Sequence, residues 1–168
     1  MPEASKRVEV SRRIEAPATL IFEIVANPQR HVEFDGSDMV RGVVQDRPIS
    51  DVGDTFTMRM HRLGDDYLMI NYWSSLSRTG ASFGNRLPET RPELKNDDPS
   101  RVGIPAGYRW GYILTPEGDD TTIVTEVFDY GALPADLLRD GGTWINGSNP
   151  VLESMTASLE RLEKISIE

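Results

Sequence analysis

The sequence predicts an α+β fold in which an antiparallel sheet of about six to seven strands is covered by one long helix near the C-terminus. Strand-like alternation recurs through the middle of the chain without helical patterns in between. After Pro150, the apolar residues Leu152, Met155, Leu159 and Leu162 recur at intervals of three and four, which places them on one side of a helix. We therefore expect a curved sheet around this helix, with room for an apolar ligand between them.

The chain begins with a predicted strand and two short helices. Val8, Val10 and Ile14 alternate with polar neighbours, which is the period of a half-buried strand, and Arg12 falls on the apolar side of this pattern. Pro17 then occupies the place of a first helical residue, and an apolar run follows up to Asn27 and Pro28, where proline ends the helix. A second helical turn is predicted at 29–34.

Strand patterns fill most of the remaining chain. The predicted strands are 39–46, 55–61, 67–76, 82–84, 108–114 and 121–130. Residues 86–106 carry four prolines and many charges, which indicates a Pro-rich surface insertion within a single domain spanning 1–168. This insertion is either a lid over a pocket or slack between two strands, and slack is the commoner case for long loops.

Composition favours a cytoplasmic protein. The formal net charge of -9 removes the usual attraction to phosphate backbones, so no nucleic-acid partner is expected. The chain has no cysteine, which excludes disulfides and thiolate chemistry. No window holds the roughly 20 apolar residues that cross a bilayer, and the N-terminus lacks the apolar run of a secretory signal. The sequence leaves a homodimer open.

Apolar and aromatic side chains on the expected inner face are candidates for lining a cavity. Phe56, Met58 and Met60 share one strand face, and methionine suits pliable apolar pockets, although plain core packing explains the same stripe equally well. Trp110 and Tyr112 share another strand face and carry polar atoms that require partners when buried. The predicted ligand-binding residues are Phe56, Met58, Met60, Asn71, Trp110, Tyr112, Glu126, Phe128, Trp144, Met155 and Leu159.

Glu126 is the strongest single candidate for acid–base chemistry. It shares a strand face with Phe128, so an inward Phe128 brings the carboxyl group inside as well. A buried carboxyl has a raised pKa and is suited to exchanging a proton. Two interpretations stay open: catalysis with Tyr112 and Arg109 as further candidates, or a structural ion pair with Arg109 or Arg59. The structural interpretation has more weight, because ion-pair networks also perturb such groups.

Motifs for metals, nucleotides and nucleophilic catalysis are lacking. His31 and His61 are the only histidines, and no histidine, aspartate or glutamate group has metal-ligand spacing, so we expect no metal. No glycine-rich phosphate loop joins a strand to a helix, and no Ser-His-Asp order is present. We therefore expect no cofactor.

Several segments together resemble the polyketide cyclase/dehydrase branch of the START-like (SRPBCC, helix-grip) superfamily. They are VSRRIEAPA at 10–18, FDGS at 34–37, GDTFTM at 53–58, MIN at 69–71, YRWGYILTP at 108–116, VTEVFD at 124–129 and LERL at 159–162. The resemblance implies a helix-grip fold, in which a curved antiparallel sheet wraps around the C-terminal helix and encloses a deep cavity. Members of the superfamily bind lipids, sterols, polyketides or plant hormones, and some cyclise or dehydrate polyketides.

Two functional hypotheses follow from these residues and this resemblance. The leading one is the binding of a hydrophobic small molecule of lipid, sterol or polyketide size. The alternative is a polyketide cyclase, aromatase or dehydratase in which Glu126, Tyr112 and Arg109 supply acid–base chemistry. A protein-interaction module and a ketosteroid-isomerase-like cone are weaker alternatives, the latter because this chain ends in a helix rather than in strands.

Overall fold

The computed structural model describes residues 6–44, 51–52, 55–62, 64–77, 80–86, 105–131 and 150–168. The strands within these ranges are β1 Arg7–Ile14, β2 Val40–Val43, β3 Thr55–Arg62, β4 Asp65–Ser77, β5 Gly80–Arg86, β6 Pro105–Pro116 and β7 Thr122–Asp129. They form one antiparallel sheet in the order β1-β7-β6-β5-β4-β3-β2. Grouped antiparallel strands with a closing helix confirm the predicted α+β class.

Two short helices follow β1, and one long helix ends the described chain. They are α1 Ala18–Val25, α2 His31–Phe34 and α3 Pro150–Ser166, with a 3-10 helix at Pro28–Arg30 between the first two. Pro17 precedes α1 in an extended conformation, and the Asn27 side chain caps the 3-10 helix by accepting a hydrogen bond from the backbone N–H of Gln29 at 3.1 Å.

The observed strand bounds differ from the predicted ones at the weakest patterns. β5 runs over Gly80–Arg86 rather than 82–84, because it pairs with both β4 and β6 although its glycines and serines give little hydrophobic alternation. Of the predicted insertion at 86–106, Arg86 belongs to β5 and residues 105–106 belong to β6. Residues 87–104 and Trp144 lie outside the described residues.

One face of the sheet, called here the inner face, packs against α3. Leu159 and Leu162 of α3 share a core cluster with Phe56, Leu114 and Val124 from the strands. A second cluster joins Met155 of α3 to Phe128, with Trp110 beside it. Met155, Leu159 and Leu162 are thus buried, as their helical spacing predicted. Leu152, predicted on the same side, is instead 41% exposed, and its neighbour Val151 takes the buried position one turn before Met155.

A close contact fixes the loop after α2 against α3. A β-carbon added to Gly36 would lie 2.1 Å from the carbonyl oxygen of Ser154 and 2.6 Å from the backbone nitrogen of Ser158. The Gly36 N–H donates to the Ser158 hydroxyl at 2.8 Å, and that hydroxyl donates to the Ser154 carbonyl at 2.9 Å. Glycine is thus required here by lack of space. Residues 35–38 with Ser154, Ser158 and Arg161 are called the loop–helix junction.

Charged groups complete the loop–helix junction. Arg161 of α3 donates to the backbone carbonyl of Asp35 and pairs with the Asp38 carboxylate at 3.1 Å. The Asp35 side chain accepts hydrogen bonds from the Ser37 N–H at 3.0 Å, the Ser37 hydroxyl at 2.7 Å and the Val40 N–H at 2.9 Å. The junction therefore sets the position of Asp35 relative to both α3 and β2.

Candidate functional site

The strand register brings a glutamate and a tyrosine together on the inner face. Tyr112 of β6 lies directly opposite Glu126 of β7, and Val10 of β1 flanks Glu126 on the other side. Glu126 is 3% exposed and Tyr112 is 8% exposed. Because side chains alternate along a strand, Val124 and Phe128 lie on the same face as Glu126, and both are buried. A carboxyl group is thereby placed in an apolar interior.

The Tyr112–Glu126 pair is only partly satisfied by hydrogen bonding. The Tyr112 hydroxyl donates to Oε1 of Glu126 at 3.5 Å, which is a long and weak bond. The other carboxyl oxygen, Oε2, is buried and has no hydrogen-bond partner among the described residues. Leaving a buried polar atom unsatisfied costs about 1–3 kcal/mol, so this oxygen needs an explanation.

The surroundings favour the protonated form of this acid. Burial raises the pKa of Glu126 well above its usual value, the negative charge of Asp35 raises it further, and the Tyr112 hydrogen bond acts in the opposite direction. Burial and the neighbouring Glu126 likewise raise the pKa of the Tyr112 hydroxyl. Both groups are therefore held toward their neutral forms, in which each carries a proton that it can donate.

The arginines predicted as partners of Glu126 lie elsewhere. Arg109 is three positions from Tyr112 on β6, so it projects from the opposite face of the sheet, where it is exposed. Arg59 adjoins the buried Met58 on β3 and is likewise exposed on the outer face. The structure therefore removes both proposed ion pairs and separates Arg109 from the two other acid–base candidates.

Aromatic rings lie against Tyr112 and farther along the two strands of the Tyr112–Glu126 pair. Phe34 meets the Tyr112 ring edge-on with centroids 6.0 Å apart. Trp110 stacks on Phe128 with centroids 4.2 Å apart, and Tyr130 continues this row at 5.6 Å from Phe128. Such aromatic surroundings are typical of sites that take apolar ligands with a few polar contacts.

His31 is a buried residue near the site that the sequence did not predict as part of it. Its Nε2 atom donates to the carbonyl of Val25 at 2.8 Å, and its ring lies edge-on to Phe34 and Phe56. Burial lowers the pKa of His31 to about 4, so the ring is neutral near pH 7. The spacing of three between His31 and Phe34 places both on one helix side, and this is the signal in the sequence that could have revealed the pairing.

The predicted ligand-binding residues fall into three groups. Phe56, Met58, Asn71, Tyr112, Glu126, Phe128, Met155 and Leu159 are buried, Met60 and Trp110 are partly buried, and Trp144 lies outside the described residues. The Asn71 side chain donates to the backbone carbonyl of Met69 on its own strand at 3.1 Å. The structure thus brings most of these residues to the inner face or to the side of α3 that packs against it, and their role in binding a ligand stays a prediction.

The described ranges contain no cluster of three or more histidine, aspartate or glutamate residues suited to holding a metal ion. In the same ranges, none of the helices combines the length and apolar character needed to cross a membrane.

Comparison with known proteins identifies relatives of part of the sequence. No family model matches the chain. Two uncharacterized proteins of Mycobacterium tuberculosis, from strains CDC 1551 and H37Rv, are each 35% identical to it over 129 residues, which is 77% of this chain and 50% of theirs. The chain therefore spans about half the length of the curated relatives it matches.

Solved structures share the fold over nearly the whole chain. The Zhui aromatase/cyclase of Streptomyces sp. R1128 superimposes with a TM-score of 0.61 at 11% identity, covering 96% of this chain and 93% of its own. The major latex-like protein 151 of Panax ginseng gives a TM-score of 0.61 at 10% identity, covering 96% and 97%. The norcoclaurine synthase of Thalictrum flavum gives 0.59 at 11% identity, covering 98% and 95%.

These likenesses, together with the sheet order and the closing helix, define a helix-grip protein. The chain has the fold of the START-like (SRPBCC) superfamily, as its sequence predicted.

Proposed function

We propose that the chain binds a hydrophobic small molecule of lipid, sterol or polyketide size between the inner face of the sheet and α3. The single observation that carries the proposal is the buried Glu126, whose Oε2 atom has no partner among the described residues. A polar group of this kind reduces stability, and a fold retains it where a bound molecule completes its hydrogen bonding. The apolar and aromatic residues around it supply the contact area of a typical ligand pocket.

The decisive experiment asks whether the space beneath α3 is hollow. Met155→Trp adds bulk at a buried position of α3, whereas Leu152→Trp adds the same bulk at a position on the same helix that is 41% exposed. A hollow interior accepts the Met155→Trp indole, so this variant keeps its thermal stability but loses binding of the neutral dye Nile red. Leu152→Trp keeps both properties.

A solid interior gives a different result. In that case the larger indole of Met155→Trp overpacks the core beneath α3, and the variant loses about 1–3 kcal/mol of stability. The wild-type protein then fails to bind the dye. That combination removes the proposal. Native mass spectrometry of the purified chain, searching for a co-purified small molecule, gives an independent measurement of the same property.

A second candidate function is acid catalysis on a polyketide-like substrate, as a cyclase, aromatase or dehydratase. The observation that favours it is the buried Glu126 carboxyl beside the Tyr112 hydroxyl. Burial raises the pKa of this carboxyl, and a protonated carboxyl near a polar partner is suited to general acid catalysis. Arg109 has no part in this version, since it lies on the outer face.

Turnover of a poly-β-ketone, followed by liquid chromatography and mass spectrometry, tests this candidate. We expect Glu126→Gln to lose a factor of about 10²–10⁴ in rate while retaining dye binding. The exposed Glu153 of α3 provides the control variant Glu153→Gln. Equal rates for the wild type and Glu126→Gln would show that the acid has no catalytic role. The cytoplasmic location and the homodimer stay predictions from the sequence.

A further inference from the structure

We propose that the hydrophobic ligand carries a neutral carbonyl oxygen, as in a ketone or an ester, that accepts a hydrogen bond from the Glu126 side chain, and that the site rejects carboxylates. This inference rests on the proposed binding function and names the chemical class of its ligand. It follows from three features of the described residues: the unused oxygen of Glu126, the sign of the nearby charge and the position of the cations.

The first feature is the donor that Glu126 offers. Its Oε1 atom accepts the Tyr112 hydroxyl, so in the protonated acid the proton resides on Oε2, the oxygen without a partner in the described part of the chain. A protonated carboxyl in an apolar site is a hydrogen-bond donor and requires an acceptor. A carbonyl oxygen with two lone pairs supplies one.

The second feature is the negative charge contributed by the loop–helix junction. The Asp35 carboxylate accepts hydrogen bonds from the backbone N–H groups of Ser37 and Val40 and from the Ser37 hydroxyl, all of which suit a negative charge. This charge acts on both Glu126 and Tyr112. A ligand carboxylate placed beside Glu126 would therefore meet electrostatic repulsion in addition to the cost of losing its water.

The third feature is the position of the basic side chains. Among the described residues, Arg12 of β1 is engaged by Glu163 at 2.9 Å and Arg161 by Asp38 at 3.1 Å, while Arg59 and Arg109 lie exposed on the outer face. None of these four cations is hydrogen-bonded to the free oxygen of Glu126, and of the four only Arg12 has a buried nitrogen, Nε, without a hydrogen-bond partner among the described residues. A neutral carbonyl is thus the acceptor that the charges of this site favour.

The geometry of the Tyr112–Glu126 pair allows the Tyr112 hydroxyl to donate a second hydrogen bond to the ligand carbonyl. At 3.5 Å its hydrogen bond to Oε1 is weak, so rotation of the hydroxyl toward a ligand carbonyl gives up little. Two donors, the acid and the phenol, would then converge on one oxygen. Hydrogen bonds of this kind are often long in the empty site and shorten in the complex.

A matched ligand series tests the inference with the full chain. The ligands 2-tridecanone, tridecanoate and tridecane share one chain length and differ only in the head group, and each is assayed by displacement of Nile red near neutral pH. We expect the ketone to bind about tenfold more tightly than the alkane, from one hydrogen bond to a buried acid, and the carboxylate to bind more weakly than the ketone by at least the same factor.

Two substitutions locate the effect. Glu126→Leu removes the donor and keeps the apolar volume, so the ketone should lose its tenfold advantage while the alkane binds as before. Glu153→Leu, at an exposed position of α3, should leave the whole series unchanged. The infrared stretching band of the bound ketone gives a direct readout, because a hydrogen bond from Glu126 lowers its frequency in the wild type and the shift disappears in Glu126→Leu.

The outcomes separate the two proposals. If all three ligands displace the dye with equal affinity, or if tridecanoate binds best, the carbonyl inference is wrong and the hydrophobic-binding function stands. If neither the dye nor any ligand binds, the proposed function fails and the inference fails with it. A ketone preference with an infrared shift, both lost in Glu126→Leu, supports the two together.

Discussion

The loop–helix junction and the Tyr112–Glu126 pair both place polar atoms in the interior, with different geometry. In the junction, the Gly36 N–H meets the Ser158 hydroxyl at 2.8 Å. In the pair, the hydrogen bond from the Tyr112 hydroxyl to Glu126 Oε1 is 3.5 Å long, and Oε2 of Glu126 has no partner among the described residues. Short, complete hydrogen bonding stabilises a fold, whereas incomplete hydrogen bonding costs stability and is typical of sites that await a ligand.

The largest effect is expected at the junction itself. Gly36→Ala puts a methyl group 2.1 Å from the Ser154 carbonyl oxygen, which belongs to the helix backbone and has no freedom to rotate away. We expect a loss of about 3 kcal/mol or more in the free energy of unfolding, measured by urea denaturation. Gly118→Ala is the control, because its β-carbon meets open space and only its positive φ of 82° adds strain, of about 1–2 kcal/mol. Equal losses of stability in the two variants would contradict the close approach of Gly36 to the backbone of α3.

A second prediction concerns His31, a buried ionisable side chain whose pKa is lowered by burial, whereas that of Glu126 is raised. The folded pKa of His31 is about 4, below the usual unfolded value of about 6.5. Between these values the folded state binds fewer protons, so its stability is fully present above pH 6.5 and is lost as the pH falls toward 4. We expect a loss of about 3 kcal/mol in the wild type over this window that is absent in His31→Gln.

His61→Gln provides the control for that experiment. His61 is more than a third exposed and pairs with Asp66 at 2.7 Å, so its removal should leave the acid sensitivity of the protein in place. An unchanged pH dependence in His31→Gln would show that the buried ring does not set it.

A third prediction isolates one hydrogen bond of the junction. Ser158→Ala leaves the Gly36 N–H without its acceptor and should lower stability by about 1–2 kcal/mol in thermal or urea unfolding. Thr156→Ala is a matched control, because Thr156 makes the same type of bond to the helix backbone, to Leu152 at 2.9 Å, but is exposed. If both variants lose the same amount of stability, the hydrogen bond from the Gly36 N–H to Ser158 contributes nothing to the stability of the fold.

The smallest change in the free energy of unfolding at acidic pH is expected for Glu126→Gln. Burial raises the folded pKa of Glu126, so the stability from its protonated form is fully present below the unfolded pKa of about 4.3 and is lost as the pH rises through the folded pKa. The variant should therefore match the wild type near pH 4 and exceed it increasingly toward alkaline pH. Parallel unfolding curves across this range would contradict a protonated acid in the folded state.

Much of the fold followed from local patterns. The spacing of Met155, Leu159 and Leu162 predicted which side of α3 is buried, and the alternation of Phe56 and Met58 predicted the inner face of β3, since both depend only on helix and strand periods. The inward orientation of Glu126 followed from the same period of two. These features are encoded by neighbours along the chain.

The partners of Glu126 depended on information that local patterns lack. The pairing with Tyr112 is set by the register of β6 and β7, and the charge of Asp35 reaches the site because Gly36 allows its loop to approach α3. The proposed partners Arg109 and Arg59 were wrong, because residue type alone does not place two side chains on the same face of a sheet. The period of two applied to Arg109 and Tyr112 would have separated them.

The pairing of β1 with β7 and the Arg12–Glu163 ion pair, whose members are 151 positions apart, have a consequence for biosynthesis. β1 is synthesised before β7 and α3, so its partners in these contacts become available only after the intervening strands of the sheet have been made. Contacts between such distant positions form slowly, because the chain pays the entropy of closing a long loop before the contacts contribute any stabilising free energy. During this interval the apolar side of β1 is exposed to chaperones and to other nascent chains.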